Sequence, residues 1–197
     1  MRLRVKPAMT IHTMVETFKN MFKRAWGIII SGNATWNEIA SEKASVSVIR
    51  RQYIFPWIAL TVTGAFLFNL GTFEKAILNA IITAISLIGG YFISNFICFA
   101  YLKNSQPDLA SKIHSETLIA YSYTIIILIE MVTIIAPSLF FLRVLSIFAA
   151  YVIWEGCRAI WQLKEDERGN IVLVFSLVVI FVSVIINRMI HWMLPNA

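Results

Sequence analysis

Residues that build catalytic and metal sites are scarce in this chain of 197 amino acids. Its only cysteines, Cys98 and Cys157, form no CxxC motif, so neither a disulfide framework nor a zinc site is indicated. The three histidines fall on three different segments, and the HExxH, P-loop and GxSxG motifs are absent. The sequence therefore predicts a protein that is not an enzyme and that holds no metal or cofactor.

Charge is scarce as well, because 14% of the residues are charged whereas 58% are hydrophobic. A soluble domain of this size has too little interior to bury so much apolar surface. A helical bundle in a lipid bilayer, in contrast, needs no polar shell at mid-height. The composition favours an integral membrane protein and leaves no room within these residues for a separate soluble catalytic domain.

Long apolar runs are abundant, and they have the lengths of helices that cross the roughly 30 Å of a bilayer's hydrocarbon core. The predicted spans cover residues 54–70, 76–102, 118–135, 139–163 and 171–194. The sequence therefore predicts an all-α, polytopic bundle of five transmembrane helices. Residues 1–52 would form a cytoplasmic and interfacial segment, and residues 53–197 the transmembrane domain.

Basic residues are unevenly distributed along the chain. Nine of the 17 Lys and Arg precede Tyr53, and the loops that five spans place on the same side add four more. A single one, Lys75, lies in a loop on the opposite side. Because Lys and Arg accumulate in cytoplasmic loops, we expect a bacterial inner-membrane protein with a cytoplasmic N-terminus and a periplasmic C-terminus. A basic segment beside a first span also indicates anionic lipid headgroups, and not nucleic acid, as its partner.

Residues 10–30 have an amphipathic pattern, in which apolar side chains repeat at helical spacing on one face and polar side chains occupy the other. The pattern predicts a helix that lies in the cytoplasmic interface. The alternative is that the apolar face packs on the protein's own bundle or on a partner subunit. The residues that we expect at the lipid interface are Lys19, Lys23, Arg24, Trp26, Arg50 and Arg51.

A second helix is predicted to begin at Thr35, after a break in the pattern at Ser31. Thr35 and Glu38 have the spacing of a capping box, in which the hydroxyl caps the helix and the carboxylate reaches back to a free amide. Trp36 and Ile39 would then share one side of this helix.

Two charged residues lie near the predicted outer ends of the third and fourth spans. Glu130 is about five residues before the end of the third span, and Arg143 is about four residues after the start of the fourth. A rise of 1.5 Å per residue therefore places them within a few ångströms in height. Charges in hydrocarbon mark functional or structural polar sites. The pair is interpreted either as a proton-sensitive gate or as a staple between helices, unless Arg143 extends to the membrane surface.

A second polar level is predicted near the cytoplasmic end of the bundle. Glu155 and Arg158 are three residues apart and share a helix face. With polar side chains of neighbouring spans they would line a small pocket open to the cytoplasm, or form a structural hydrogen-bond network. The neighbouring side chains are Asn95, Tyr121 and Tyr123.

Several aromatic, proline and glycine positions form a recognisable order. They are Trp-x-x-Ile at residues 36–39, Tyr-x-x-Pro at 53–56, Ala-Tyr-Ser at 120–122, Pro137, Tyr151 and Gly156. This order resembles the bacterial branch of the Yip domain family, whose five-span eukaryotic members act around the Golgi with Rab GTPases. The resemblance covers roughly residues 36–190 and implies the same topology and no catalytic residue. Rab binding is not implied, because the family's Asp-Leu-Tyr-Gly-Pro motif is absent.

Two classes of function are consistent with this sequence. The leading interpretation is a non-enzymatic inner-membrane protein of the Yip type, which acts in membrane organisation or trafficking by contact with lipids, a membrane-protein partner or a second copy of itself. The alternative is a small transporter or channel that uses the two polar levels as its path. A continuous wet cavity that joins both levels would favour transport, whereas a dry bundle with an exposed apolar groove would favour partner binding.

Reporter fusions test the predicted topology. A fusion after Asn104 should report the cytoplasm and a fusion at Ala197 the periplasm, because the Lys and Arg bias places these positions on opposite sides. A cytoplasmic C-terminus would mean that the spans are miscounted.

Overall fold

The computed structural model describes residues 11–42 and 44–193, and every regular element in these ranges is helical. Residues 1–10 and 43, which hold four of the nine N-terminal basic residues, lie outside that description. The α-helices are α1 Ile11–Ile30, α2 Gly32–Ser41, α3 Val46–Ile49, α4 Phe55–Leu67, α5 Phe73–Ser105, α6 Lys112–Ile135, α7 Phe148–Trp161 and α8 Glu165–Met193. A π-helical turn covers Arg50–Ile54, and 3-10 segments cover Pro107–Leu109 and Pro137–Ile147. The predicted all-α class is confirmed.

Four helical stretches in the described residues are long and apolar enough to cross a membrane. They are Phe73–Ser105, Lys112–Ile135, Pro137–Trp161 and Glu167–Ile190. These stretches correspond to four of the five predicted spans. Four such helices are consistent with a multi-pass membrane protein. The predicted first span is represented by α4, which has 13 residues and covers only about 20 Å. The count of five spans is therefore not confirmed by helix length.

Helix α6 is the central element of the bundle. It contacts α4, α5, α7 and α8, and residues 115–125 are all buried. Helix α5 packs against α4 and α8. Within this buried stretch the hydroxyls of Tyr121, Tyr123 and Thr124 have hydrogen-bond partners, whereas those of Ser115 and Ser122 have none in the part of the chain that the structure describes. We call the end of the bundle near Ser105 and Lys112 the inner end, and the end near Ile135 and Pro137 the outer end.

The outer part of the predicted fourth span is not an α-helix. The 3-10 segment Pro137–Ile147 precedes α7 there, and Leu139 within it has non-helical backbone angles. None of the residues of this segment is buried, so tertiary packing does not impose α-helical geometry on it. Runs of 3-10 helix longer than three or four residues are uncommon. At its other end α7 stops at Trp161, because Gln162 takes the left-handed conformation and donates its N–H to the Arg158 carbonyl at 3.1 Å.

The predicted helix start at Thr35 is wrong. Helix α2 begins at Gly32, and Thr35 is buried inside it, with its backbone N–H donating to the Ser31 carbonyl at 3.1 Å. The side chain of Thr35 packs closely on Gly27 of α1, where an added Cβ would lie 2.6 Å from Thr35 Oγ1. Only Ser31 separates α1 from α2. Thr35 therefore stabilises the contact between these two helices and does not cap the start of α2.

Gly156 of α7 lets α2 pack closely against the bundle. A Cβ at this position would lie 2.8 Å from Cζ2 of the fully buried Trp36 and would overlap Cδ1 of Leu118 in α6. Glycine is therefore required where α2, α6 and α7 meet.

We expect Gly156→Ala to destabilise the protein by about 1–3 kcal/mol, because the added methyl overpacks the contact with Trp36 and Leu118. Thermal unfolding in detergent measures the effect. Gly64→Ala is the matched control, since the Cβ that it adds meets nothing within 4 Å apart from the neighbouring backbone of its own helix. An equal effect of the two changes would contradict the docking of α2 at Gly156.

Candidate functional site

Arg24 of α1 links the N-terminal helices to the inner half of the bundle. Its Nη1 donates to the Tyr121 hydroxyl at 2.6 Å, and its Nη2 donates to the two Glu42 carboxylate oxygens at 2.5 and 2.6 Å. The Tyr121 ring in turn packs on Tyr53 of the π turn, with 4.2 Å between the ring centres. One guanidinium group thereby holds α1, the end of α2 and α6 together.

Glu116 of α6 is a buried carboxylate, 2% exposed, that the sequence analysis missed. Arg50 binds it through two parallel hydrogen bonds, from Nε to Oε1 at 2.6 Å and from Nη2 to Oε2 at 2.7 Å. The Tyr91 hydroxyl of α5 donates to the same Oε1. The guanidinium also lies 4.9 Å from the centre of the Phe92 ring. Three segments distant in sequence therefore converge on one carboxylate.

The π turn directs two side chains into the bundle, Arg50 towards Glu116 and Tyr53 towards Tyr121. The hydrogen bonds that Arg50 donates to Glu116 raise the pKa of the Arg50 guanidinium above its ordinary value, against the opposing effect of burial. The guanidinium thus stays charged beside the carboxylate. Glu116 was missed because the third span was expected to begin at residue 118, whereas α6 begins six residues earlier at Lys112.

Two cavities, which we call the inner cavities, flank Tyr121 near the inner end of the bundle. One has a volume of about 330 Å³ and reaches His114 and Ile160, and the other has about 240 Å³ and reaches Asn20 and Gln52. Both are lined by Glu42, Ala44, Ile49 and Tyr121. They lie where the N-terminal helices meet α3 and α6.

The residues predicted to form one inner polar pocket have different partners in the structure. Tyr121 binds Arg24, as described above, whereas the hydroxyl of Tyr123 forms a 2.7 Å hydrogen bond with the Ser183 hydroxyl of α8. Asn95 donates to the Tyr91 carbonyl of its own helix at 3.4 Å. These three side chains are therefore not brought together in one pocket.

Glu155 and Arg158 do lie close to each other on α7, with 3.7 Å between Oε2 and Nη1. The Glu155 side chain lies at the start of α2, where a Cβ added to Gly32 would be 3.6 Å from Glu155 Cγ. A carboxylate beside the free N–H groups of a helix start is electrostatically favoured. This arrangement assigns Glu155 to the contact between α2 and α7.

Glu130 and Arg143 form the pair that was predicted at the outer level. Arg143 Nη2 lies 3.4 Å from Glu130 Oε2, but the Arg143 side chain is 59% exposed. The contact is therefore longer and more open than the one between Arg50 and Glu116. Both residues border a small outer pocket, which shares no lining residue with the two inner cavities.

The residues predicted at the lipid interface fall into two groups. Arg24 and Arg50 have carboxylate partners within the chain, Glu42 and Glu116. The other four side chains are exposed, and their contact with headgroups stays a prediction. They are Lys19, Lys23, Trp26 and Arg51.

Helix α1 presents three strips of side chains. The packed strip, Met21, Ala25 and Ile28, is buried. The exposed apolar strip consists of Val15, Phe18, Phe22, Trp26 and Ile30. The polar strip consists of Glu16, Asn20, Lys23 and Arg24. With 3.6 residues per turn, the exposed apolar and polar strips lie roughly 110–120° to either side of the packed strip.

We expect Arg50→Met to cost about 3–5 kcal/mol of stability, because it leaves the buried Glu116 carboxylate without its guanidinium partner. Glu130→Gln should cost less than about 1 kcal/mol, since Arg143 is largely exposed. Unfolding in detergent measures both changes. The double variant Arg50→Met, Glu116→Gln should recover much of the loss. If the losses caused by Arg50→Met alone and by Glu116→Gln alone simply add in the double variant, Arg50 and Glu116 do not interact.

No group of three His, Cys, Asp or Glu side chains within residues 11–42 and 44–193 is placed to hold a metal ion. The resemblance to the Yip family stays a prediction that depends on the residues quoted for it. No family model, curated protein or solved structure matches this chain.

Proposed function

We propose that this protein is a non-enzymatic integral membrane protein of the Yip type, which organises the cytoplasmic leaflet by contact of α1 with lipids. The arrangement of the three strips of α1 carries the proposal. A helix packed on the flank of a bundle through one strip directs the two adjacent strips in opposite directions. One faces hydrocarbon and the other faces water when the helix lies in the interface.

The contacts of α1 support an orientation across the bundle helices. The Phe22 ring lies 4.7 Å from the ring of Trp57 in α4, and Arg24 binds Tyr121 in α6. Gly32, two residues beyond the end of α1, lies beside Tyr151 of α7. The chain thus passes from α4 over α6 to α7 within three turns, as a helix in the plane of the membrane would.

The sizes of the apolar and the electrostatic contributions indicate which of them dominates the contact of α1 with the membrane. Full burial of a large apolar side chain contributes about 1.5–3 kcal/mol, and the five side chains of the exposed apolar strip, which are 36–66% exposed, would each gain about half of that. A basic residue near an anionic surface contributes about 1 kcal/mol, and Lys19 and Lys23 are exposed beside this strip. Hydrocarbon contact therefore holds α1 in place, and the lysines select anionic lipids.

The path of α4 supports five crossings. Just before its start Arg50 meets Glu116, near the inner end of α6. Near the end of α4, the Phe66 ring lies 6.0 Å from the ring of Phe73. Phe73 is the first residue of α5, and the last residue of α5, Ser105, is at the inner end of the bundle. Helix α4 with its π turn thus extends from the inner level to the outer turn. With the Lys and Arg bias, this favours a cytoplasmic N-terminus in the bacterial inner membrane.

The alternative, a transporter or channel, requires a polar path between the two levels. Ser183 lines the outer pocket, and its hydroxyl bonds to that of Tyr123. The inner cavities begin at residues that do not border this pocket. The separation of the cavities favours lipid or partner binding over conduction.

Spin labels on the full chain test the proposed setting of α1. The native cysteines are first removed by Cys98→Ala and Cys157→Ala. Spin labels at Phe18→Cys and Trp26→Cys should then collide with oxygen more often than with a water-soluble nickel chelate. The two labels should lie at similar depths in the membrane. The matched control is Asn20→Cys on the polar strip, which should show the reverse. Equal access of the chelate to all three positions would contradict the interfacial setting.

A further inference from the structure

The outer pocket contains polar groups that the helix contacts do not use. It has a volume of about 90 Å³ and lies between α5, α6, α8 and the 3-10 segment. Its charged lining consists of Glu130, Arg143 and Arg188, and its hydroxyls include those of Ser86 and Ser183. The pocket is far smaller than the roughly 300–1,000 Å³ of sites for drug-sized ligands, so it fits a single small group.

The lining of this pocket carries an unbalanced positive charge. Glu130 and Arg143 offset each other as an ion pair. Within the described part of the chain, Arg188 has no carboxylate within ion-pair distance. One guanidinium charge is therefore available to an anion.

A buried hydroxyl without a partner also borders the pocket. Ser86 of α5 is 5% exposed, and its Oγ has no hydrogen-bond partner among the described residues. An unsatisfied buried polar group is unfavourable, so a ligand that accepts its proton would be stabilised there. When Tyr123 donates in its hydrogen bond with Ser183, the single hydroxyl proton of Ser183 is free to be donated to a ligand.

The contact between α5 and α8 closes this pocket at Ser183. A methyl group on Gly90 of α5 would overlap the Tyr123 hydroxyl and would lie 2.8 Å from Ser183 Oγ. The close approach at Gly90 keeps both hydroxyls in place. The outer pocket therefore ends at Ser183 and does not continue as a channel through the bundle.

We propose that the outer pocket binds a phosphate oxyanion, with Arg188 as the countercharge and Ser86 and Ser183 as hydroxyl donors. The guanidinium fork matches oxyanion geometry. A tetrahedral phosphate accepts donors from several directions, which suits groups that come from both α5 and α8. The phosphate is that of a lipid headgroup in the outer leaflet or a soluble phosphate.

Thermal unfolding of the full-length protein in a phosphate-free maltoside buffer distinguishes the two sources. Inorganic phosphate, phosphatidylglycerol and diacylglycerol, which lacks phosphate, are the probes. Stabilisation by inorganic phosphate identifies a soluble ligand. Stabilisation by phosphatidylglycerol, without an effect of inorganic phosphate or diacylglycerol, identifies a lipid headgroup. No stabilisation by either phosphate probe, or equal stabilisation by the two lipids alone, overturns the proposal.

Two variants connect the effect to this pocket. Arg188→Gln should raise the probe concentration for half-maximal stabilisation about tenfold or more, because a charged hydrogen bond is lost. Arg158→Gln, which removes an exposed arginine outside the pocket, should leave that concentration unchanged. Ser86→Ala should weaken the response while leaving the ligand-free protein as stable as before or more so. An unchanged response in Arg188→Gln and Ser86→Ala would overturn the assignment.

Discussion

The ion pair of Arg50 and Glu116 is the interaction on which the inner half of this protein depends. Glu116 lies on the central helix, where a carboxylate is tolerated only if it is paired and hydrogen-bonded. Arg50 and the Tyr91 hydroxyl meet that requirement and so fix the π turn against α5 and α6. Since the π turn leads directly into α4, the same pair determines where α4 begins and where Trp57 stands. Phe22 of α1 packs on Trp57.

A second charged contact makes the N-terminal helices part of the bundle. Arg24 binds Glu42 and Tyr121, while Trp36 is buried beside Gly156. For α1, membrane contact and packing on the bundle were opposed interpretations of one amphipathic pattern. The structure shows the packing and leaves room for membrane contact, because the packed strip takes up only part of the apolar side chains. The remaining apolar strip is exposed, although Phe22 within it also packs on Trp57.

Height along the bundle could be predicted from the sequence, whereas rotation about each helix axis could not. The pairing of Glu130 with Arg143 followed from counting residues on either side of Pro137, because the two segments are adjacent in the chain. Asn95, Tyr121 and Tyr123 were placed at similar heights by the same count, yet Tyr121 bonds to α1, Tyr123 bonds to α8 and Asn95 bonds to its own helix. Which helices are neighbours is decided by packing that no local pattern encodes.

Two segments are helical but not α-helical, and they show a further limit of prediction from the sequence. Hydropathy recognises the stretch Pro137–Trp161 as apolar and long, but it does not distinguish 3-10 from α-helix. The π turn Arg50–Ile54 likewise depends on a partner 66 residues away, Glu116. Both geometries depend on which contacts the segment makes or lacks, so they appear only once the neighbouring helices are in place.

The two halves of the bundle also differ in how firmly they are packed. The inner half contains the continuous buried stretch 115–125, the bidentate pair and the contact at Gly156. The outer half has the 3-10 segment, none of whose residues is buried, and a loose pair in which Arg143 is mostly exposed. Segments that bind ligands tend to come from the less stable parts of a fold, because they must accommodate the bound group. The proposed membrane contact of α1 therefore has a rigid base in the inner half, and the proposed anion site has an open charge in the outer half.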